Sequence, residues 1–270
     1  MTKDKEQMTS DPIATAFSRK AAVYDAFGVG HEQLARMREA VYAELAAVVP
    51  AGGHLLELNA GTGLDAAEMV ARGYRVHATD LAEGMVAEIE RKIGAGMGSG
   101  RLTAQQCSFN TLDQVGGPFD ALYSNSGGLN CTADLAAVFG QFPRLLRRGG
   151  TVTLVIMPPF CPWEHALLLK NWRVATRRWR PGGVLAHVEG AHFMTYYFTP
   201  RHVLAALGPA FRLVSLRSLA LLTPTADNDQ FARRRPRLYR TLVALETPLL
   251  GRWPFNQWGD FFMLTARLNE

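Results

Sequence analysis

The stretch that decides the fold reads Leu55-Leu56-Glu57-Leu58-Asn59-Ala60-Gly61-Thr62-Gly63-Leu64-Asp65-Ala66. It begins as an apolar strand, continues through a glycine-containing turn and ends at the start of a helix. In a parallel α/β sheet such a turn lies at the carboxyl end of the strand, where glycine lets the backbone approach a ligand and the helix N-terminus offers unpaired N–H groups. The stretch therefore predicts a nucleotide cradle.

Acidic residues on both sides of the turn narrow the type of cradle. Glu57 lies in the end of the strand and is followed at alternate positions by Asn59, Gly61 and Gly63. A second predicted strand, 75–79, closes on Asp80. A carboxylate at the end of that strand can accept hydrogen bonds from both hydroxyls of a ribose. Gly61, Gly63 and Ala66 alone also match a dinucleotide pattern, so a nicotinamide cofactor stays open at this point.

With Glu57, Gly61, Gly63 and Asp80 so placed, the chain resembles the class I S-adenosylmethionine-dependent methyltransferases. Their usual pattern is an acid, three alternate glycines, and an acid that ends the second strand. The resemblance departs at Asn59, which occupies the position of the first glycine. Asn tolerates a left-handed backbone, so we expect the turn to form.

The resemblance implies a fold and a cofactor. The fold is an α/β, Rossmann-like three-layer sandwich with a seven-stranded, mostly parallel sheet and an antiparallel last strand, here 261–268. The cofactor is S-adenosyl-L-methionine, with S-adenosyl-L-homocysteine as product. By position in the family's motifs, the implied cofactor-binding residues are Tyr24, Glu57, Asn59, Gly61, Gly63, Asp80, Leu81, Met85, Ser108, Phe109 and Asn125. Simple packing is an equally good reading of Tyr24 and Met85.

Length and patterning predict a single domain over residues 1–270, with a helical N-terminal lid at 1–50 and a substrate-selecting insertion at 158–207. Helical spacing of apolar residues after a Gly28/Gly30 break predicts an amphipathic helix in this segment, and its role as a lid over the cofactor is what the family resemblance implies. A helix is expected at 134–146 before the fifth strand, and within the insertion we expect a helix at 166–178 and short strands at 184–188 and 193–198. The insertion follows the fifth strand, where loops lie above the carboxyl edge of the sheet.

Charge and composition exclude several classes. The chain has 270 residues, a net charge of +5 and a pI of about 9.3. Much of the excess lies in the arginine clusters 173–180 and 233–237, which we expect to be solvated loops, with an anion-binding rim as the alternative. Because neither cluster follows one helix face or carries a stacking motif, we expect no nucleic-acid partner.

Apolar runs stay well short of the roughly 18 residues a membrane helix needs, so no membrane span is predicted. Residues 1–11 lack the apolar centre of a signal peptide, and we expect a cytoplasmic location. Three cysteines without C-x-x-C spacing argue against a disulfide framework and a structural zinc site, and no metal site is predicted. The oligomeric state is not determined by these patterns.

Methyl transfer from a sulfonium is an in-line displacement, so the protein mainly aligns the reactants and excludes water. A hydroxyl or carbon acceptor needs a positioned base. The candidate catalytic residues are His192, His31 and His165, in that order, and the candidate substrate-binding residues are Trp163, Trp172, Tyr196 and Tyr197.

The sequence thus predicts a small-molecule methyltransferase of biosynthetic or secondary metabolism, acting on an N, O or C nucleophile. Two alternatives stay open. One is an NAD(P)-dependent oxidoreductase, and the other is a cofactor-binding protein of the same fold without catalytic activity, which Asn59 and Ser108 keep possible.

Overall fold

The computed structural model describes residues 11–98, 100–166, 168–169, 171–188, 190–228 and 230–269. The first half contains α1 (Pro12–Gly28), α2 (Glu32–Val48), β1 (His54–Leu58), α3 (Leu64–Ala71), β2 (Arg75–Asp80), α4 (Glu83–Gly94), β3 (Leu102–Gln106) and β4 (Phe119–Ser124). The second half contains α5 (Leu135–Phe139), α6 (Phe142–Leu145), β5 (Leu146–Ile156), α7 (Pro162–His165), α8 (Trp172–Ala175), β6 (Val184–Val188), β7 (Ala191–Thr195), α9 (Pro200–Leu207), β8 (Phe211–Leu219), α10 (Phe231–Arg234), α11 (Pro236–Glu246) and β9 (Phe261–Leu268).

Seven strands form one sheet in the order β3-β2-β1-β4-β5-β9-β8. The first five are parallel, and β9 runs antiparallel between β5 and β8. The order changes direction at β1, so the loops after β1 and β4 leave a crevice at the carboxyl edge of the sheet. The predicted three-layer fold and antiparallel last strand are confirmed.

Helices cover both faces of the sheet. One buried cluster joins β1, β4, β5 and β9 to α5, α6 and α9. The other joins the opposite face to α2, α3 and Ile89 of α4. Burial on both faces explains why the central strands read as near-continuous apolar runs rather than alternating ones. Val203 and Leu207 of α9, at the end of the predicted insertion 158–207, pack in the first cluster, and the insertion itself stays a prediction.

The helix predicted at 134–146 is wrong as a single element. It is divided into α5 and α6, and Pro143 lies in the first turn of α6. Proline lacks the N–H that would bond to the preceding turn and its ring clashes with the carbonyl there, so an unbroken helix does not pass through it. The following strand begins at Leu146, directly after α6, and Leu146 pairs with Phe119.

The helix predicted at 166–178 is also wrong. The described residues of this segment form the single-turn helix α8 and a 3-10 turn at Arg177–Trp179, and Asn171 caps α8 through a bond from the Val174 N–H. Of the two predicted short strands, β6 has the predicted bounds, while β7 is shifted to Ala191–Thr195. The two form an antiparallel hairpin separate from the main sheet.

Among the described residues, no helix combines the length and apolar character needed to cross a membrane. The three cysteines are free thiols, with Cys107 and Cys161 buried. Part of the predicted lid, residues 1–10, lies outside the described residues.

Candidate functional site

The turn after β1 has the left-handed backbone that its sequence predicts. The φ angles are 49° at Asn59, 56° at Gly61 and 77° at Gly63. A Cβ at Gly63 would lie 2.9 Å from Ile89, so glycine is needed there for close packing of the turn on α4. A Cβ at Gly61 would point to the ring of Tyr24, 3.7 Å away, into the space between the turn and α1. The turn therefore keeps a cradle open that a side chain would fill.

Asp80 ties the end of β2 to this turn. Its Oδ2 accepts a bond from the Gly61 N–H at 2.8 Å, and its Oδ1 accepts one from the Ala82 N–H at 2.8 Å. The side chain is buried, and burial raises the pKa of Asp80 to about 6, against the lowering effect of these backbone donors. Each carboxylate oxygen retains a second lone pair, so the group can accept further hydrogen bonds.

An open pocket lies between the turn, α1 and the end of β4. It is lined by Tyr24, Arg38, Asn59, Ala60, Gly61, Thr62, Leu64, Asp65, Asn125 and Ser126. Four predicted cofactor residues therefore meet here, namely Tyr24, Asn59, Gly61 and Asn125. Burial raises the pKa of Tyr24, so its hydroxyl stays protonated and serves as a hydrogen-bond donor.

Helix α1 closes over this pocket through a polar latch. Asp25 accepts a hydrogen bond from the Thr62 hydroxyl of the turn and pairs with Lys92 at 2.7 Å. The Lys92 ammonium also donates to the Thr62 carbonyl at 2.7 Å. The latch holds the lid directly on the turn that forms the cradle.

Asn59 does more than permit a left-handed backbone. Its Nδ2 donates to the carbonyl of Asn125 at 3.0 Å, and its Oδ1 accepts from the Ser124 hydroxyl at 2.6 Å. A Cβ at Gly128 would lie 2.3 Å from the Cγ of Asn59. Asn59 therefore joins the carboxyl ends of β1 and β4, and Gly128 supplies the room it needs.

Asp65 and Arg38 are site residues that the sequence reasoning missed. Asp65 is buried in the first turn of α3, where it accepts bonds from the Tyr42 hydroxyl and from Nδ2 of Asn125 at 2.9 Å. Arg38 of α2 lies 3.3 Å from its Oδ1. Because Asp65 follows the turn directly, its position in the sequence could have predicted an acidic side chain at the helix N-terminus beside the cradle. No local pattern marks Arg38 as its partner.

Glu57 is buried below the turn, beside the hydroxyl of Tyr123. Burial and the charge of Asp65 raise the pKa of Glu57, whereas Tyr123 and Arg38 lower it. Glu57 lies in β1 below the cradle, two positions before Asn59 in the sequence.

Four further residues that the family resemblance implies, on the side of the cofactor's adenine ring, lie outside the pocket lining. They are Leu81, Met85, Ser108 and Phe109. Met85 is buried under α1, in a cluster with Ala21 and Ala82. Leu81 accepts a bond from Gln106 through its carbonyl. Ser108 uses its hydroxyl to accept from the Asn110 N–H at 3.2 Å, and Phe109 packs against the main core. Their roles toward a cofactor stay predictions.

The three candidate histidines lie in three different places. His31 is the N-cap of α2: its Nδ1 accepts from the Leu34 N–H at 3.2 Å and its Nε2 lies 2.8 Å from the Ala226 carbonyl. His192 is exposed on β7, and its ring lies 4.5 Å from that of His187 on the facing strand. Both ring nitrogens of His31 are thus engaged in holding the fold, and none of the three lines the pocket.

His165 of α7 has one engaged and one unengaged ring nitrogen. Its Nδ1 lies 2.7 Å from the carbonyl of Cys161, and its ring packs between those of Phe160 and Trp179. Its Nε2 is buried without a hydrogen-bond partner among the described residues. Because a carbonyl only accepts, the neutral ring carries its proton on Nδ1 and a lone pair on Nε2.

The four aromatic residues predicted to bind substrate are dispersed over the excursion. Trp163 packs edge-on against Phe231, and Trp172 is exposed. Tyr196 packs on the core, and Tyr197 lies under Arg178, 5.4 Å from its guanidinium. The structure brings none of them into the pocket lining, and their role in substrate binding stays a prediction.

The solvated-loop prediction for the cluster 173–180 is wrong at its centre. Arg178 is 3% exposed, forms ion pairs with Glu164 at 2.6 Å and Asp260 at 2.7 Å, and Arg177 also pairs with Glu164. Buried carboxylates require paired cations, and these hold the arginines inside. Cys161, Glu164 and Asp260 form one group of metal-ligand types in the described chain, but Arg178 already neutralises its carboxylates.

Comparisons with known proteins agree with this geometry. Residues 55–150 match the family model described as a methyltransferase domain. A demethylmenaquinone methyltransferase of Clavibacter sepedonicus is 30% identical over 145 residues, which are 53% of this chain and 54% of that protein. The chain thus spans about half the length of the curated relative it matches.

Solved structures share the fold over nearly the whole chain. The CcbJ methyltransferase of Streptomyces caelestis superposes with a TM-score of 0.62 at 16% identity, covering 93% of this chain and 96% of that one. The 1,6-didemethyltoxoflavin-N1-methyltransferase of Burkholderia thailandensis, solved with 1,6-didemethyltoxoflavin and S-adenosylhomocysteine, gives 0.57 at 16% identity, covering 96% and 88%. β1, its turn, Asp80 and β4 all lie within the range 55–150 that matches the methyltransferase-domain family model, and the chain has the Rossmann-like fold of the superposed methyltransferase structures.

Proposed function

We propose that this protein is an S-adenosylmethionine-dependent methyltransferase acting on a small-molecule acceptor in biosynthetic metabolism. The observation that carries the proposal is the hydrogen bond between Asp80 and the turn after β1. The carboxylate ends β2, bonds the Gly61 N–H and faces a cradle kept open by the missing side chain of Gly61. That arrangement suits a ribose and the nucleoside attached to it.

Residues of the pocket lining, together with Asp80 bonded to Gly61 beside it, fit the polar parts of such a cofactor. Asp80 would accept the ribose hydroxyls. Tyr24, on the latched helix α1, would cover the cofactor from the solvent side. When bound, the cofactor would supply a methyl group on a positively charged sulfur. The neutral thioether that remains after transfer is the leaving group.

Charge around the pocket suits the amino-acid half of the cofactor. Asp65 is the acid and Arg38 the cation of the lining, and Glu57, Asp25 and Asp80 lie nearby. Arg38 would pair with the carboxylate of the cofactor, which is the one anionic group of that molecule. The carboxyl of Asp65 would face its ammonium and share it with the bonds from Tyr42 and Asn125.

Of the three predicted bases, His165 fits proton removal best. Its Nε2 holds an unengaged lone pair, and the carbonyl of Cys161 fixes the tautomer. It follows β5 at the carboxyl edge of the sheet, where the acceptor of a protein with this fold would enter. Because Nε2 is buried beside the rings of Phe160 and Trp179, these rings would have to move before a hydroxyl or carbon acceptor could give its proton to this nitrogen as the methyl group is transferred in line.

The proposal is tested first by calorimetric titration with S-adenosylmethionine, S-adenosylhomocysteine and NAD. We expect micromolar binding of the two sulfur nucleosides, none of NAD, and loss of binding in Asp80→Ala. Asp113→Ala is the matched control. The Asp113 side chain is 84% exposed, and its substitution removes the same charge at a position outside the pocket lining. Binding of NAD in place of the sulfur nucleosides would establish the oxidoreductase alternative.

An acceptor screen with methyl-labelled cofactor then separates an enzyme from a binding protein. Once an acceptor is found, His165→Gln is compared with His192→Gln. We expect the first to lower kcat and to remove the limb of the pH–rate profile that reports the base, with cofactor affinity unchanged, and the second to leave both as in the parent. Equal profiles for both variants would remove His165 from the mechanism.

The proposal also keeps the cytoplasmic location and the lack of a nucleic-acid partner that the sequence predicts. Both are checked by expressing the protein with a fluorescent tag and by testing purified protein for retained nucleic acid through its absorbance ratio. Enrichment of a defined RNA after stringent washing would redirect the acceptor screen to that RNA.

A further inference from the structure

The segment 230–253, which contains α10 and α11 and which we call the arginine arm, lies outside the site and is not used by the proposed chemistry. One face of α11 bonds to α2 and to the loop after β8. Tyr239 donates its hydroxyl to Oε1 of Gln33 at 2.7 Å, and the buried Glu246 accepts bonds from the N–H groups of Leu222 and Thr223. Since these two residues are seven apart, they share a face and fix which side of the helix points outward.

The outward side carries two adjoining stripes. Arg237 and Arg240 are exposed on one, and Leu238 and Leu245 on the other, 42% and 56% exposed. At about 100° per residue, Leu238 and Leu245 lie within about 20° of each other around the helix axis. The helix therefore presents a basic stripe beside an apolar one, which is the pattern of a surface-bound amphipathic helix.

The flanks of α11 extend both stripes. Arg234 and Arg235 precede the helix and are exposed, and Arg252 follows it. Trp253, next in the chain, is 79% exposed, and an indole favours a boundary between apolar and aqueous surroundings. The arm thus places arginine at both ends of an apolar stripe.

No exposed carboxylate offsets this charge within the described part of the arm. The one acidic residue there is Glu246, which is fully buried and paired with Arg36. Among the described residues, no ion pair involves Arg234, Arg235, Arg237, Arg240 or Arg252. These five arginines therefore have no ion-pair partner among the described residues.

We propose that the arginine arm binds the surface of an anionic lipid bilayer. Its guanidinium groups would pair with lipid phosphates, while Leu238, Leu245 and Trp253 enter the boundary between headgroups and acyl chains. An RNA or an acidic protein surface would use the arginines but would leave the adjoining leucine stripe exposed to water. The combination of both stripes favours the bilayer.

The test is sedimentation of the full-length protein with vesicles of phosphatidylcholine alone and of equal parts phosphatidylcholine and phosphatidylglycerol. We expect binding to the second type only, weakening as salt rises. Each arginine near an anionic surface contributes roughly fivefold to the partition coefficient, so Arg237→Gln/Arg240→Gln should lower it roughly 30-fold. Arg75→Gln/Arg201→Gln removes two exposed arginines elsewhere and should change it less than about twofold.

A second pair of variants tests the apolar stripe. Leu238→Gln/Leu245→Gln should weaken binding while keeping its salt dependence, because the charges remain. All variants are first shown to bind S-adenosylhomocysteine and to melt as the parent does. Absence of vesicle binding by the parent, or equal loss in the Arg75/Arg201 control, would overturn the proposal. Arginine-dependent binding to an RNA oligonucleotide that ignores the leucine pair would assign the arm to nucleic acid instead.

Discussion

Asp80→Asn is expected to change how stability depends on pH. Burial raises the pKa of Asp80 from 3.8 to about 6 in the folded ligand-free protein. Between these two values the folded chain holds a proton that the unfolded chain has lost, so stability falls as the pH rises through this window. The cost of the ionised carboxyl is absent below pH 3.8 and complete above pH 6. A pKa difference of one between the folded and unfolded chain corresponds to 1.36 kcal/mol. The rise from 3.8 to about 6 therefore lowers the free energy of unfolding at neutral pH by about 3 kcal/mol.

Part of this window is accessible to experiment. Between pH 5 and pH 7.5 the parent should lose about 1.4 kcal/mol relative to Asp80→Asn. The asparagine still offers one oxygen to the N–H of Gly61 or Ala82, and its amide meets the other donor. That second effect does not depend on pH, so it shifts the stability of the variant equally at both values.

The assay is urea denaturation at the two pH values, followed by tryptophan fluorescence. Parent, Asp80→Asn and the exposed control Asp113→Asn are compared, and the difference between parent and variant is the quantity of interest. Carboxyls and histidines elsewhere titrate alike in all three proteins and cancel. Parallel pH dependences of parent and Asp80→Asn would refute the argument that a buried, raised carboxyl at this position costs stability.

The same residue links pH to cofactor affinity. Hydrogen bonds from a ribose to Asp80 favour the ionised carboxyl, so binding requires deprotonation when the pH is below about 6. In calorimetry, S-adenosylhomocysteine should bind the parent about tenfold more weakly at pH 5 than at pH 7.5. Asp80→Asn should bind weakly and equally at both values. A pH-independent affinity in the parent would mean that the carboxyl does not contact the ribose.

Three further changes probe the supports of the site. Gly128→Ala should destabilise the fold by about 1–3 kcal/mol, because the added Cβ would overlap Asn59. In a double-mutant cycle measured by urea denaturation, adding Asn59→Gly should remove part of that cost. Additive effects of the two substitutions would contradict the contact. Lys92→Met should speed amide hydrogen exchange in α1 about tenfold by opening the latch to Asp25, as mass spectrometry of its peptides would record, while unchanged exchange would show that the lid is held elsewhere. Glu246→Gln should lower the free energy of unfolding by about 3–5 kcal/mol because it leaves Arg36 without its buried partner, and a loss below 1 kcal/mol in urea would rule out that anchor for the arginine arm.

Local chemistry allowed several parts of the fold to be predicted from sequence. Asn59 and Gly73 adopt the left-handed backbone that their residue types permit, and Gly73 follows the end of α3 as a helix-terminating glycine does. The family resemblance implied the mostly parallel sheet, and the alternation of strands with helices agrees with it because a βαβ unit has few ways to pack. The family resemblance added the antiparallel place of β9, which periodicity does not contain.

Errors in the secondary structure arose where one local signal outweighed another. The leucine-rich run 134–146 has helical spacing, yet Pro143 divides it. The basic run 166–178 was read as a helix with solvated arginines, yet Glu164 and Asp260 draw Arg178 into the interior. The second error was not visible locally, because Asp260 lies 82 residues further along the chain.

The sequence by itself determined the turn after β1, the acid that ends β2 and hence the cofactor class to be tested, since these features depend on backbone conformation and short spacing. Tertiary structure alone decided that Arg38 meets Asp65, that His31 caps a helix while His165 keeps a free nitrogen, and that the arginine arm faces outward. These facts depend on which surfaces of distant helices meet, and packing over the whole sheet, rather than any local preference, sets those meetings.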